Sequence, residues 1–308
     1  MNRTRFGKTG LEVSIIGFGG AEIGFLKPQR DRATRVLNLL LDSGVNVIDT
    51  AAGYETSEEI IGQAISHRRS EFVLISKCGN KVDGIQHEAW SPGLITQTVE
   101  RALKRLKTDV LDVMLLHSCD ESVLKSGDAL AALVKARQAG KIRFAGYSGD
   151  NEAAAYAATL PDVAVIQTSI SIADQANIDR VLPVARKNNL GVMAKRPLAN
   201  AAWRKTEDQP GFYGSYAQTY HDRLKAMALD PAKLGFTADA NAAWPEIALR
   251  FTLAQPEVST AIIGTTNPDN VQRNLESAKK GPLTEETVQK IRAAFRSAQG
   301  GQQWPGMQ

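Results

Sequence analysis

The chain has 308 residues and a formal net charge of +4, a length that suits one large α/β barrel or two ordinary domains. No run approaches the roughly 18 consecutive apolar residues of a membrane-spanning helix, and lysines and arginines are interleaved with acids rather than gathered into a nucleic-acid-binding stripe. Two cysteines, Cys78 and Cys119, are too few for a disulfide framework, which fits a reducing cytoplasm.

In chain order, the opening MNRTRFGKTGLEV lacks a signal-type apolar core and reads as a hairpin around Lys8-Thr9-Gly10. Short apolar runs then predict strands over 14–17, 45–49, 72–76, 110–116, 142–147, 163–168, 192–194 and 258–263. Continuous Val, Ile and Leu in runs this short is the pattern of parallel strands buried on both faces. Helical periodicity fills the gaps. Ile95, Val99, Ala102, Leu103 and Leu106 share one face, with Ser91 as N-cap and Pro92 as first helical residue. Leu130, Leu133 and Val134 mark a helix that Gly140 stops. Ile178, Val181, Leu182 and Ala185 mark another that Pro183 kinks. Val271, Leu275 and Ala278 mark one opened by Asn267-Pro268, and a last helix runs over 284–295.

Eight strand-then-helix units predict a (β/α)8 TIM barrel with an N-terminal β-hairpin and long C-terminal-face loops. A doubly wound sheet is the weaker alternative, because Gly17-Phe18-Gly19-Gly20 lacks the third glycine of a dinucleotide fingerprint. No composition break divides the chain, so residues 1–308 read as one domain, with 297–308 a flexible tail. The stretch 199–241 reads as a long irregular loop, carrying Trp203, Phe212, Tyr213, Tyr216 and Tyr220, and as a lid over the site.

Chemistry gathers at strand ends. Asp49 closes VNVID and Tyr54 follows in the next turn; Lys77 closes FVLISK and His117 closes VLDVMLLH. A free tyrosine, with a pKa near ~10, is a poor acid at neutral pH. A neighbouring ammonium favours the phenolate, and a carboxylate keeps that ammonium charged and oriented. Singly, each residue has an ordinary structural reading; together at successive strand ends they form a catalytic cluster. The four histidines are far apart and none has HxxxH spacing, so no metal site is expected.

The segments FGKTGLEVSIIGFGG, VNVIDTAAGY, TVERALKRLKTDVLDVMLLH, GKIRFAGYS and AIIGTTNPDNVQRNL, in this order and spacing, resemble the aldo-keto reductase family. The resemblance implies a (β/α)8 barrel that holds a nicotinamide cofactor, NADPH with NADH as the second option, at its C-terminal face. It implies a small carbonyl or sugar substrate and a catalytic tetrad on Asp49, Tyr54, Lys77 and His117. Tyr54 would be the general acid, Lys77 would favour its ionisation, Asp49 would pair with Lys77, and His117 would orient the substrate oxygen. Cofactor contacts would fall on Gly19, Gly20, Ser148, Gln167, Lys195, Arg196, Pro197, Leu198, Gly264, Thr265, Thr266, Asn270, Arg273 and Asn274. The substrate pocket would include Ala21, Trp90, Cys119 and Trp203.

The chain departs from the family pattern in places. Gly149 stands where an asparagine is usual, and Lys195 where many members have a stacking tyrosine. Ala21 replaces a pocket tryptophan, and the Lys and Arg typical of NADPH-preferring members near Gly264 and Asn270 are absent. Two other functions remain in view. One is a non-catalytic cofactor-binding regulatory subunit on the same fold. The other is a Schiff-base aldolase using Lys77 or Lys195.

Overall fold

Short β-branched runs leave room for strands only, and each intervening helix carries an apolar stripe to lay against them. In the computed structural model, which describes residues 1–26, 28–204, 214–237 and 239–307, the strands are β1 (Arg3–Arg5), β2 (Glu12–Ser14), β3 (Ile16–Gly19), β4 (Val47–Asp49), β5 (Val73–Cys78), β6 (Leu111–His117), β7 (Ile142–Ser148), β8 (Val163–Ser169), β9 (Gly191–Lys195) and β10 (Thr260–Ile263). Strands β3 to β10 form a closed parallel barrel, sealed where β10 pairs with both β3 and β9. This is the predicted (β/α)8 architecture.

β1 and β2 form the expected antiparallel hairpin. It stoppers the N-terminal end of the barrel. Phe6 and Val13 are fully buried among the interior residues Val47, Ile75, Val113, Leu115, Val165 and Met193. The Phe6 ring lies so close to Gly191 that a Cβ there would sit 2.5 Å from it. The first barrel strand starts two residues later than the sequence reading placed it. Ser14 ends the hairpin instead, its amide donating to Asn46 Oδ1 at 2.7 Å and its hydroxyl to the Ile16 carbonyl at 2.6 Å. Those bonds turn the chain at Ile15.

The side-chain period of two sorts every strand into inside and outside. Val47, Ile75, Val113, Leu115, Val165 and Met193 fill the interior. Their neighbours Ile48, Leu74, Met114, Leu116, Ile166 and Ala194 meet the helices. Helix signals read from the sequence are in place. Ser91 Oγ accepts from the Leu94 amide at 3.3 Å and opens the helix Pro92–Leu106. Asn267 caps Pro268–Lys279. Pro183 splits its segment into Ala176–Arg180 and Leu182–Lys187.

The stretch 199–241 is not irregular throughout. It holds the helix Gly214–Met227 and the short turn Pro231–Leu234. Ala217, Tyr220 and Met227 of that helix are buried, and Tyr220 and Met227 join a second cluster with Trp244, Ile247, Phe251, Ile291 and Phe295. Small and polar residues between these positions mask the helical period in the sequence. Phe212 and Tyr213 lie outside the described residues.

The chain end, read above as a tail, lies against the barrel. The Trp304 ring meets Phe295 edge-on at 5.1 Å, and the Gly306 and Met307 amides donate to Asn151 Oδ1 at 2.7 Å and Asp174 Oδ2 at 3.0 Å. Among the described residues no helix is long and apolar enough to cross a membrane.

Candidate active site

The inward parity continues past the last apolar layer. One step beyond Val47, Ile75 and Leu115 come Asp49, Lys77 and His117; β7, β8 and β9 add Ser148, Gln167 and Lys195. The alternation that fills the barrel therefore crowns it with polar groups at the C-terminal ends of its strands. Register ties them around the rim, with His117 opposite Ser148, Ser148 opposite Gln167, and Ser169 opposite Lys195.

Lys77 is fully buried, and its ammonium donates to Asp49 Oδ2 at 2.8 Å, to the Thr50 carbonyl at 2.9 Å and to the Tyr54 hydroxyl at 3.4 Å. Tyr54 reaches this point from a tight turn, its amide on the Ala51 carbonyl and its own carbonyl taking the Ser57 amide. The turn packs directly on Gly24, where a Cβ would lie 2.2 Å from the Tyr54 carbonyl oxygen. The Tyr54 ring meets His117 at 5.7 Å in an edge arrangement and Phe25 at 5.7 Å in a tilted one. The four predicted catalytic residues thus converge.

Burial works against the Lys77 ammonium, but Asp49 and Tyr54 outweigh it and hold its pKa above the ordinary lysine value. Burial alone drives the Asp49 carboxyl upward, and Lys77 is the main opposing influence. We take the pair as ionised, since each charge is the other's chief compensation. His117 is held well below the ordinary histidine value, by burial first and then by Lys77, Lys195 and Arg196. It is therefore a neutral imidazole at pH 7.

The expected cofactor residues divide into three groups. Ser148 and Gln167 are joined, Ser148 Oγ donating to Gln167 Oε1 at 2.9 Å; buried Gln167 Nε2 makes no hydrogen bond of full geometry, although the Gln167 side chain lies close enough to Asp49 to help hold that carboxyl down. An unsatisfied donor at a polar mouth fits an external carbonyl, such as a carboxamide oxygen. Half-buried Lys195 forms an ion pair with buried Asp150 at 2.8 Å, and Arg196 donates to Ser169 Oγ at 3.0 Å and to the Met307 carbonyl. Pro197 and Leu198 instead serve packing: the Pro197 carbonyl takes the Thr252 hydroxyl at 3.5 Å, and Leu198 lies against the second cluster.

The third group lies across the mouth beside β3 and β10. Glycine is required there by packing, since a Cβ at Gly19 would sit 2.9 Å from Ile262 and one at Gly20 2.5 Å from Ser57 Oγ. Gly264 adjoins Gly19. Thr265 Oγ1 accepts from the Asn267 amide at 3.1 Å and from Asn270 Nδ2 at 3.2 Å. Arg273 donates to Asn270 Oδ1 at 2.5 Å, Asn274 is buried, and Arg32 donates to the Thr266 carbonyl at 2.7 Å.

Of the expected pocket residues, Ala21 begins the short helix Ala21–Phe25 directly after the β3 glycines. The Trp90 ring covers Gly79, two residues beyond Lys77. Trp203 packs against the second cluster. Cys119 faces the barrel–helix layer and burial pushes its thiol up to about 12, so it is inert. Sequence reasoning missed Asp150, Phe25 and Arg32. Asp150 alone carried a signal, an acid two residues past an inward strand-end serine. Among the described residues no group of three or more His, Cys, Asp or Glu side chains is placed to hold a metal ion.

Comparison with known proteins identifies the family. The model of the Aldo/keto reductase family matches residues 15–296. The chain is 26% identical to the uncharacterized oxidoreductase YqkF of Bacillus subtilis (strain 168), over 95% of this chain and 96% of that protein. It is 27% identical to the NADH-specific methylglyoxal reductase of Escherichia coli (strain K12), over 89% of this chain and 93% of that protein. The holo form of aldo-keto reductase AKR11C1 from Bacillus halodurans matches with a TM-score of 0.80 and 26% identity, over 96% of each chain.

The Asp49–Lys77 pair makes a stability prediction. Replacing Asp49 by Asn leaves a buried ammonium without a counter-charge, at an expected cost of roughly 3 kcal/mol. Urea unfolding should show that loss, and Asp49→Asn/Lys77→Met should recover part of it.

Proposed function

The chain belongs to the aldo/keto reductase family and is an NAD(P)H-dependent oxidoreductase, and we propose that it reduces small aldehydes and ketones, or oxidises sugars and alcohols in reverse, with Tyr54 as the proton donor. The observation that carries this reading is the line Asp49–Lys77–Tyr54, at 2.8 and 3.4 Å, with a neutral imidazole facing the same phenol. Lys77 commits its ammonium to three acceptors and its pKa is raised. That argues against Lys77 as an amine nucleophile and hence against a Schiff-base aldolase built on it.

Bound nicotinamide supplies the hydride. Tyr54 and His117 receive the substrate oxygen between them. Neutral His117 donates a hydrogen bond to it, which fixes the carbonyl without adding a proton. As negative charge grows on the oxygen, the Tyr54 hydroxyl transfers its proton there. The phenolate left behind faces the Lys77 ammonium, which is already in place and needs no reorganisation. Asp49 keeps that ammonium charged throughout. In the oxidative direction Tyr54 takes the proton back.

Gln167 Nε2, which makes no hydrogen bond of full geometry beside Ser148, supports carboxamide binding at this rim. Arg32 and Arg273 border the 264–274 segment, and two guanidinium groups there favour a 2′-phosphate and thus NADPH. Cytoplasmic location accords with the free cysteines.

Two expectations follow. Tyr54→Phe should lower kcat for NADPH oxidation with a panel of aldehydes, ketones and aldoses by at least about a hundredfold while cofactor affinity is kept. Full turnover in the variant would overturn the assignment, and the wild-type rates with NADPH and NADH settle cofactor choice. Tight cofactor binding with no turnover on any carbonyl would instead mark a regulatory subunit. Second, His117 stays neutral below the ordinary value near ~6.5, so kcat should show no loss centred there. Stability should fall as pH drops below that value, because the unfolded chain then takes up a proton that the folded one refuses. The pH profile of kcat and of urea midpoints checks both.

A further inference from the structure

Lys195 closes β9 with the same inward parity as Ser148 and Gln167, and its ammonium pairs with Asp150 Oδ2 at 2.8 Å. That carboxylate is shared widely. Asp150 Oδ1 also takes Thr168 Oγ1 at 2.9 Å, the Ser169 amide at 2.7 Å and Asn177 Nδ2 at 2.8 Å. Arg196 follows at once in a left-handed backbone conformation, φ +57°, which a branched or long side chain rarely adopts. The Ser169 hydroxyl and the Met307 carbonyl hold its guanidinium beside the pair. Deeper still, Asp174 is hydrogen-bonded by the Tyr220 hydroxyl and the Met307 amide, and Arg223 lies nearby to offset it. Burial first, and then Arg196, lower the Lys195 pKa, and the Asp150 carboxylate at 2.8 Å is the chief influence that keeps the ammonium charged. The mouth therefore holds Lys77, Lys195 and Arg196 against Asp49 and Asp150, one positive charge in excess. That excess is felt at the reacting centre, since Lys77, Lys195 and Arg196 all act on His117.

Hydride transfer moves charge through this field. A hydride carries two electrons, so the ring that gives it changes from neutral to cationic, and the carbonyl that takes it becomes an alkoxide until Tyr54 protonates it. A cationic mouth disfavours the oxidised ring and favours the alkoxide. An aromatic residue at position 195 has no such effect, for it offers a face and no net charge.

We propose that Lys195, seconded by Arg196, makes the site select reduced over oxidised nicotinamide and so biases the enzyme toward carbonyl reduction. The proposal rests on the reductase reading above. Asp150 is the positioning residue that fixes the ammonium and partly offsets it.

The test is binding, independent of turnover. Dissociation constants for NADPH and NADP+ are measured by fluorescence titration for wild type, Lys195→Met, Lys195→Arg and Asp150→Asn. Lys195→Met should shift the ratio toward the oxidised form by about tenfold, the effect of a partly offset charge at this range. In the bound couple, tenfold corresponds to roughly 30 mV. Lys195→Arg should keep the wild-type ratio, and Asp150→Asn should move it the opposite way from Lys195→Met. An unchanged ratio in Lys195→Met, or equal shifts in the Met and Arg variants, would overturn this inference alone. A wild-type chain that binds neither NADP(H) nor NAD(H) would overturn the reductase reading and this inference with it.

Discussion

One buried ammonium governs the mouth of this barrel. Lys77 sits where water does not reach, and a lone ammonium in such a place gives up its proton. Asp49, one strand away, prevents that at 2.8 Å. The pair is costly to bury and contributes little net stability. Its return lies in function: a fixed cation 3.4 Å from the Tyr54 hydroxyl. Everything beneath it serves to keep that geometry. The interior of Val, Ile, Leu and Met leaves no path for water from below, and the Phe6 hairpin seals the far end.

A second ion pair, half-buried Lys195 with buried Asp150, stands on the other side of the rim. The two pairs differ in what they face. Lys77 points at the Tyr54 hydroxyl, whereas Lys195 extends the line of Ser148 and Gln167. The chain end takes part in this second cluster. Residues 305–307 bind Arg223, Asn151, Asp174 and Arg196 through their backbone. The segment fits closely, since a Cβ at Gly306 would meet Asn177 Nδ2 at 2.7 Å.

Much of this was legible in the sequence because one rule, alternation along a strand, places both core and site. Once VNVID, FVLISK and VLDVMLLH are strands, the parity that buries Val47, Ile75 and Leu115 also aims Asp49, Lys77 and His117 into the barrel mouth. Caps were legible for similar reasons, as Ser91-Pro92 and Asn267-Pro268 leave few other conformations. The errors came where local pattern is weak. Ser14 looked like the start of the first barrel strand because its role at the end of the hairpin depends on Asn46, thirty-two positions away. Gly214–Met227 looked like loop because its buried Tyr220 and Met227 answer to Trp244 and Phe251 rather than to a clear apolar stripe. The contacts of the chain end with Asn151 and Asp174 span more than a hundred residues and leave no local trace.

The central claim is that Lys77 is a charged ammonium held by Asp49 beside Tyr54. The direct measurement is the Lys77 side-chain 13Cε and 15Nζ NMR signal, assigned with Lys77→Arg and followed from pH 7 to pH 11. The account predicts an ammonium signal that persists above the ordinary lysine value near ~10.4 and falls to lower pH in Asp49→Asn. A Lys77 signal that titrates below that value in the wild-type protein, unchanged by Asp49→Asn, would contradict it.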